Sequence, residues 1–169
     1  SRTVDTWHRP SDVAVAPDGS LFVADWYDPG VGGNLAGDPL GGRIFRIAPD
    51  VGKYRVNQPN YSSPESAVEA LKGPNMATRY KAWTNLNNWG DQAKEALLKL
   101  WNSNNSIYRA RALWLLTQIE GKAEQYLDSG LNDPDPDIRV VSIRAARQID
   151  SDNLETHLKK VLNDKAPEV

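Results

Sequence analysis

The chain has 169 residues, 40% of them hydrophobic and 25% charged, which is room for one ordinary domain or for a small piece joined to a modest one. Twenty Lys and Arg stand against 22 Asp and Glu, a net charge of −2, so the basic excess that binding to nucleic-acid phosphates requires is missing. Cysteine is absent, which excludes disulfides, thiolate nucleophiles, thiolate metal sites and Cys-linked haem from these residues, and no apolar run reaches bilayer length. The opening SRTVDTWHRP lacks both an initiator Met and the basic-then-apolar build of a signal peptide, and the closing LNDKAPEV stops inside a repeating pattern. Both ends therefore read as cuts, and a fragment is expected.

In chain order, residues 1–58 read as a small antiparallel β segment, with strands near 11–16, 21–25 and 43–48. SDVAVA and SLFVAD alternate apolar and polar positions on either side of Pro17-Asp18-Gly19, with Gly19 supplying the positive φ of a tight hairpin. RIFRIAP gives the third strand, with Ile44 and Arg46 opposite in direction to Phe45 and Ile47. The Gly- and Pro-rich stretch between the second and third strands is a loop. Three short strands cannot cover their own faces and edges, so other structure is expected to shield them, or the edges to pair with another copy of the chain.

Residues 62–169 carry an internal repeat. LKGPNMATRYKAWTNL from Leu71, WNSNNSIYRARALWLL from Trp101 and LNDPDPDIRVVSIRAA from Leu131 align at an offset of 30 residues, and LNDKAPEV begins the motif again 31 residues later. Arg79, Arg109 and Arg139 share one column; Trp83, Leu113 and Ile143 share another; Leu86, Leu116 and Ala146 a third. Each unit reads as two helices. The first carries stripes such as Ala93, Leu97, Leu100 and Trp101, or Leu154, Leu158, Val161 and Leu162; the second carries Ala82, Trp83, Leu86 and Trp89, or Ala112, Leu113, Leu116 and Ile119. Ser63 before Pro64 and Asp135 before Pro136 suit an N-cap followed by proline at the first helical position. Such pairs bury their faces by stacking, and about three are the minimum.

The helical region, with DPDPDIRVVSIRAARQI (133–149) as its most specific part, resembles HEAT-type repeats, although periods of 30 and 31 are short against the usual value of about 40. The fold expected from this resemblance is mainly α: a HEAT-like α-α superhelix of about three helical pairs, preceded by a small antiparallel sheet. RPSDVAVAPDGSLFVADWYDPG followed by GGRIFRIAP resembles a single β-propeller blade of the NHL or sugar-dehydrogenase-like kind. In VADWYDP, GRIFRIAP and the helices after them, the chain is similar to bacterial membrane-bound dehydrogenases common in planctomycetes, in which a propeller precedes HEAT-like repeats and a cytochrome c domain. The resemblance implies a terminal blade of such a propeller, an extracytoplasmic location and an oxidoreductase parent.

The candidate ligand-binding residues are Asp25, Trp26, Tyr27 and Asp28, at the exit of a blade strand. A carboxylate pair there falls short of the six to eight oxygens Ca²⁺ prefers, so the plainer expectation has the acids capping loop N–H groups and the rings packing under the loop. Arg79, Arg109 and Arg139 are expected to bond between repeats, to backbone or Asp, ahead of any ligand role. Tryptophans 83, 89, 101 and 114 lie in or beside helical stripes and read as core. His8 and His157 are too far apart in sequence to suggest a metal site, and G-x-S-x-G is missing.

The expected function is noncatalytic: a structural or protein-interaction fragment of a larger dehydrogenase, with no catalytic residue, metal or cofactor of its own. The alternative makes Asp25, Tyr27 and Asp28 part of a substrate or quinone site. A DNA-binding reading would need a stripe from Arg79, Arg109, Arg111, Arg139, Arg144 and Arg147, which Asp133, Asp135 and Asp137 oppose. The expected partners are proteins, either the other blades or another subunit, and neither nucleic acid nor a membrane.

Overall fold

The computed structural model describes residues 8–27, 41–49 and 58–169. Contacts divide the chain into two compact units: the described part of 1–58 with 75–77, and 59–74 with 78–169. A small antiparallel sheet precedes a mainly helical region.

The sheet contains β1 (Pro10–Val15), β2 (Leu21–Asp25) and β3 (Arg43–Ile47) in the order β1-β2-β3. The β1–β2 hairpin closes where Gly19 takes φ +83°, a conformation that costs glycine nothing. There the Ala16 N–H bonds Ser20 O at 2.8 Å and the Gly19 N–H bonds Ala16 O at 2.9 Å. Ala16 thus belongs to the turn, and β1 runs one residue earlier than its alternation suggests. The register opposes Val13 to Val23, Val15 to Leu21, Val23 to Phe45 and Leu21 to Ile47, so the period of two gathers these apolar side chains on one face. That face is open: Val13 and Val15 are both 59% exposed and Ile47 51%.

The helical region contains α1 (Pro64–Lys72), α2 (Met76–Trp89), α3 (Lys94–Trp101), α4 (Ser106–Leu116), α5 (Ala123–Leu131), α6 (Pro136–Gln148) and α7 (Leu154–Val161), with a 3-10 turn at Gly90–Ala93 before α3. Proline starts two of these helices. Ser63 caps α1 in a reciprocal capping box with Ser66, and Asp135 caps α6 by accepting the Asp137 N–H at 3.0 Å. Asn105 caps α4 through the Tyr108 N–H at 3.2 Å. α3 packs on α4, α5 on α6, and α4 on α6.

One apolar cluster joins Ala67, Val68 and Leu71 of α1, Ala82 and Leu86 of α2, Leu97 and Leu100 of α3, and Leu113 and Leu116 of α4. Trp83, Trp89 and Trp101 lie half-buried against it, and Trp114 against a second cluster of Leu127, Ala145 and Ala146. Two stripe residues fall outside their helices. Ala93 sits in the 3-10 turn and Ile119 past the end of α4, yet both are buried, because the turns fold over the same core. The α7 stripe is only half covered: Val161 is buried, while Leu158 is 41% and Leu162 74% exposed. Periodicity marks a face as apolar without saying that anything packs on it.

Gly130 of α5 allows an unusually close helix contact. A Cβ there would collide with Ser142 Oγ on α6 and lie 3.0 Å from Leu113 Cδ2. Ser142 is itself fully buried and satisfies its hydroxyl on the Ile138 carbonyl at 2.8 Å.

Candidate functional site

Asp25 ends β2 with its side chain only 2% exposed. Its Oδ1 accepts the Arg9 N–H at 2.6 Å, and its Oδ2 accepts Arg43 Nε at 2.9 Å and Nη2 at 2.6 Å. His8 Nδ1 lies 3.2 Å from Oδ1, and the His8 ring meets Phe45 edge-on at 5.3 Å. Burial raises the Asp25 pKa, but the Arg9 N–H and the Arg43 guanidinium outweigh it and hold the carboxyl below its ordinary range. Both oxygens are occupied by bonds that join the ends of all three strands, so Asp25 is poorly placed to serve as a ligand or base.

The neighbouring aromatics differ. Trp26 is 61% exposed, and its N–H bonds Arg9 O at 2.9 Å. Tyr27 lies so close to Gly41 that a Cβ there would enter its ring. These residues, with Ser11, Arg43 and Ile44, line a shallow recess of about 400 Å³. Asp28 lies outside the described residues.

Asp18 is a second fixed carboxylate in the sheet unit. It takes the Ser20 hydroxyl at 2.6 Å and the Ser20 N–H at 2.9 Å, and pairs with Arg46. The Ser20 bonds, then Arg46, pull its pKa down to about 2.

In the helical unit the arginine column forms ionic rungs. Arg109 pairs with Asp133, and its guanidinium covers the Trp101 ring at 5.1 Å. Arg139 forks onto Asp164, with Nε to Oδ2 and Nη2 to Oδ1 both at 2.7 Å, while its Nη1 donates to Asp133 O at 2.7 Å. Each aspartate also holds its own turn: Asp133 Oδ1 takes the Asp135 N–H and Asp164 Oδ1 the Ala166 N–H, both at 2.9 Å. One carboxylate thus shapes a turn and ties it to the preceding second helix. The fork raises the Arg139 pKa and lowers that of Asp164.

Arg79 departs from the rule. Counting 24 residues on from Arg109 gives Asp133, and the same count from Arg79 gives Ser103. Ser103 keeps the turn bond, its Oγ taking the Asn105 N–H at 3.4 Å, but it offers no carboxylate. Among the described residues neither Arg79 nor Arg111 has an acidic partner; Arg111 donates instead to the carbonyls of Leu71 at 2.8 Å and Lys72 at 3.2 Å, at the end of α1. Burial, and then the charge of Arg79, lower the Arg111 pKa, the mark of two guanidinium groups close together.

Compared with protein-family models and with curated protein sequences, the chain matches none.

Sequence reasoning missed two features. The first is a groove of about 520 Å³, floored by Val68, Ala96 and Leu100 and bordered by Lys72, Lys99 and Tyr108, with Glu65, Glu69 and residues 103–105 completing it. Its signal was present as the apolar-and-charged faces of α1 and α3, which sequence alone could not set side by side. The second is His157, which is buried, with Nε2 2.8 Å from Glu124 Oε2, while Ser151 Oγ donates to the other oxygen of Glu124 at 2.6 Å. Serine and histidine both meet the acid here and not each other, so the nucleophile-to-base contact of hydrolytic triads is missing. No three His, Asp or Glu side chains converge as metal ligands among the described residues, and no described helix is long and apolar enough to cross a membrane.

Proposed function

We propose that this chain is a noncatalytic interaction scaffold: a HEAT-like superhelix of helical pairs carrying a propeller-blade-like sheet, belonging to a larger dehydrogenase-like protein of the membrane-bound bacterial type. The observation that carries this reading is the way the ionisable side chains are used. Asp25, the acid best placed for chemistry, spends both oxygens on Arg9 and Arg43, and the two aspartates of the helical rungs spend theirs on turns and arginines. The rungs recur at the sequence period and join one unit to the next, as stacked pairs require. The exposed apolar face of the sheet supports a protein partner there, either companion blades or another subunit.

The alternative, a share in a substrate or quinone site, has Trp26 and Tyr27 beside the shallow recess in its favour and the engaged carboxylate of Asp25 against it. An assay of the purified chain with sugars and alcohols, pyrroloquinoline quinone, Ca²⁺ and a reducible dye separates the two. The scaffold reading expects dye reduction no faster than in buffer; reduction that depends on both protein and substrate would overturn it.

A further inference from the structure

We propose that the groove between α1 and α3 binds a short peptide in extended form, and that a carboxylate of that peptide completes the rung that Arg79 lacks. The inference rests on the scaffold reading above and names the site and the chemistry of one partner.

Three observations converge on it. Each of the next two arginines in the column meets an aspartate on the following turn, whereas Arg79 faces the register position of a serine. Arg79 and Arg111 stand half-buried and near each other without an acid among the described residues, an arrangement that an incoming anion relieves and that costs stability otherwise. These arginines adjoin the groove: the Arg111 guanidinium lies 5.9 Å from the Tyr108 ring and bonds the Lys72 carbonyl, and Tyr108 and Lys72 both border it.

The chemistry of the walls selects the ligand. Val68, Ala96 and Leu100 give an apolar floor suited to aliphatic side chains, and the volume is that of an ordinary ligand cleft. Lys72 is committed to Glu69 at 2.5 Å, whereas Lys99 stands exposed on the rim with no acid paired to it among the described residues. An aliphatic segment bearing Glu or Asp meets both demands, and a planar guanidinium matches a carboxylate in two-point fashion.

The test uses the full chain, ¹⁵N-labelled, and two probes: acetyl-Leu-Glu-Leu-Glu-Leu amide and the same peptide with Gln in place of Glu. Titration with the Glu peptide is expected to shift the amide signals of Val68, Leu100, Ser103 and Arg111, with the Gln peptide about tenfold weaker or worse. Arg79→Gln should remove that preference. Ser103→Asp supplies the carboxylate from within, so it should raise Tm and abolish the preference; because it adds a bond, it keeps the test decisive even if Arg79→Gln unfolds. Equal affinity for the two peptides, no binding, or a preference that survives Ser103→Asp would overturn the proposal. Inorganic phosphate competing as strongly as the peptide would overturn the peptide as occupant. Peptide binding elsewhere on the chain would sink the groove and leave the scaffold standing, while substrate-dependent dye reduction would sink the scaffold whatever the peptides do.

Discussion

The sheet unit and the helical unit solve the same problem with opposite means. In the helices, leucines and alanines vanish from solvent: Leu97, Leu113, Leu116 and Leu127 are at most 1% exposed, and the ion pairs stitch turns around a core already closed. In the sheet, the valines of β1 stay open, and what is sealed is polar, with Asp25 at 5% and Ser20 at 1% exposure. The contrast teaches that burial of charge and burial of oil are separable devices. A unit whose apolar face is uncovered can still be held by carboxylates that gather N–H and guanidinium donors, though such a unit responds to pH where the other responds to volume.

The sharpest way to break the comparison is through volume. Leu113→Ala opens a cavity at the centre of the helical core and should cost about 2–5 kcal/mol, whereas Val13→Ala on the open sheet face should stay within about 0.5 kcal/mol. Chemical denaturation followed by far-UV circular dichroism measures both, and similar losses would erase the distinction. Gly130→Ala comes next. Its new methyl enters the space of Ser142 Oγ, so α5 and α6 must part, at about 1–3 kcal/mol, and the double change with Ser142→Gly should recover part of the loss. No recovery would show that the helices do not meet there.

The smallest effect belongs to acid. The folded pKa of Asp18 is lowered from 3.8 to about 2, so its contribution to the hairpin is complete above about pH 4 and fades as pH falls toward 2. Carbon-detected NMR of the Asp18 carboxyl should give a midpoint near 2, moving toward 4 in Ser20→Ala; a midpoint near 4 in the unaltered chain would break the account of the turn.

The strands, the Gly19 hairpin, the proline-started helices and the stacked apolar columns were legible because each is written within a few residues: alternation, a turn triplet, a cap, a stripe. What the sequence hid was partnership over distance. Asp25 reads as an available acid until Arg9 and Arg43, 16 and 18 residues away, close on it. His157 reads as an isolated histidine until Glu124, 33 residues back, turns out to be its neighbour. The arginine column was visible, and so was bonding between repeats as its use, but the difference between Arg79 and its two successors appears only once the turn aspartates are seen to do two jobs. Leu158 and Leu162 show the converse: a stripe is legible as apolar while its covering is not.

The close meeting of Gly130 and Ser142 has a counterpart in each preceding unit, with Leu100 and Ala112 in the same register and Ala70 and Ala82 before them. Side-chain bulk at these spacer positions changes from unit to unit, so neighbouring modules are cut to one another like numbered stones in an arch. Exchanging their order would preserve composition and period and still produce misfit, which is why engineering this array by duplication calls for moving a module together with its seat.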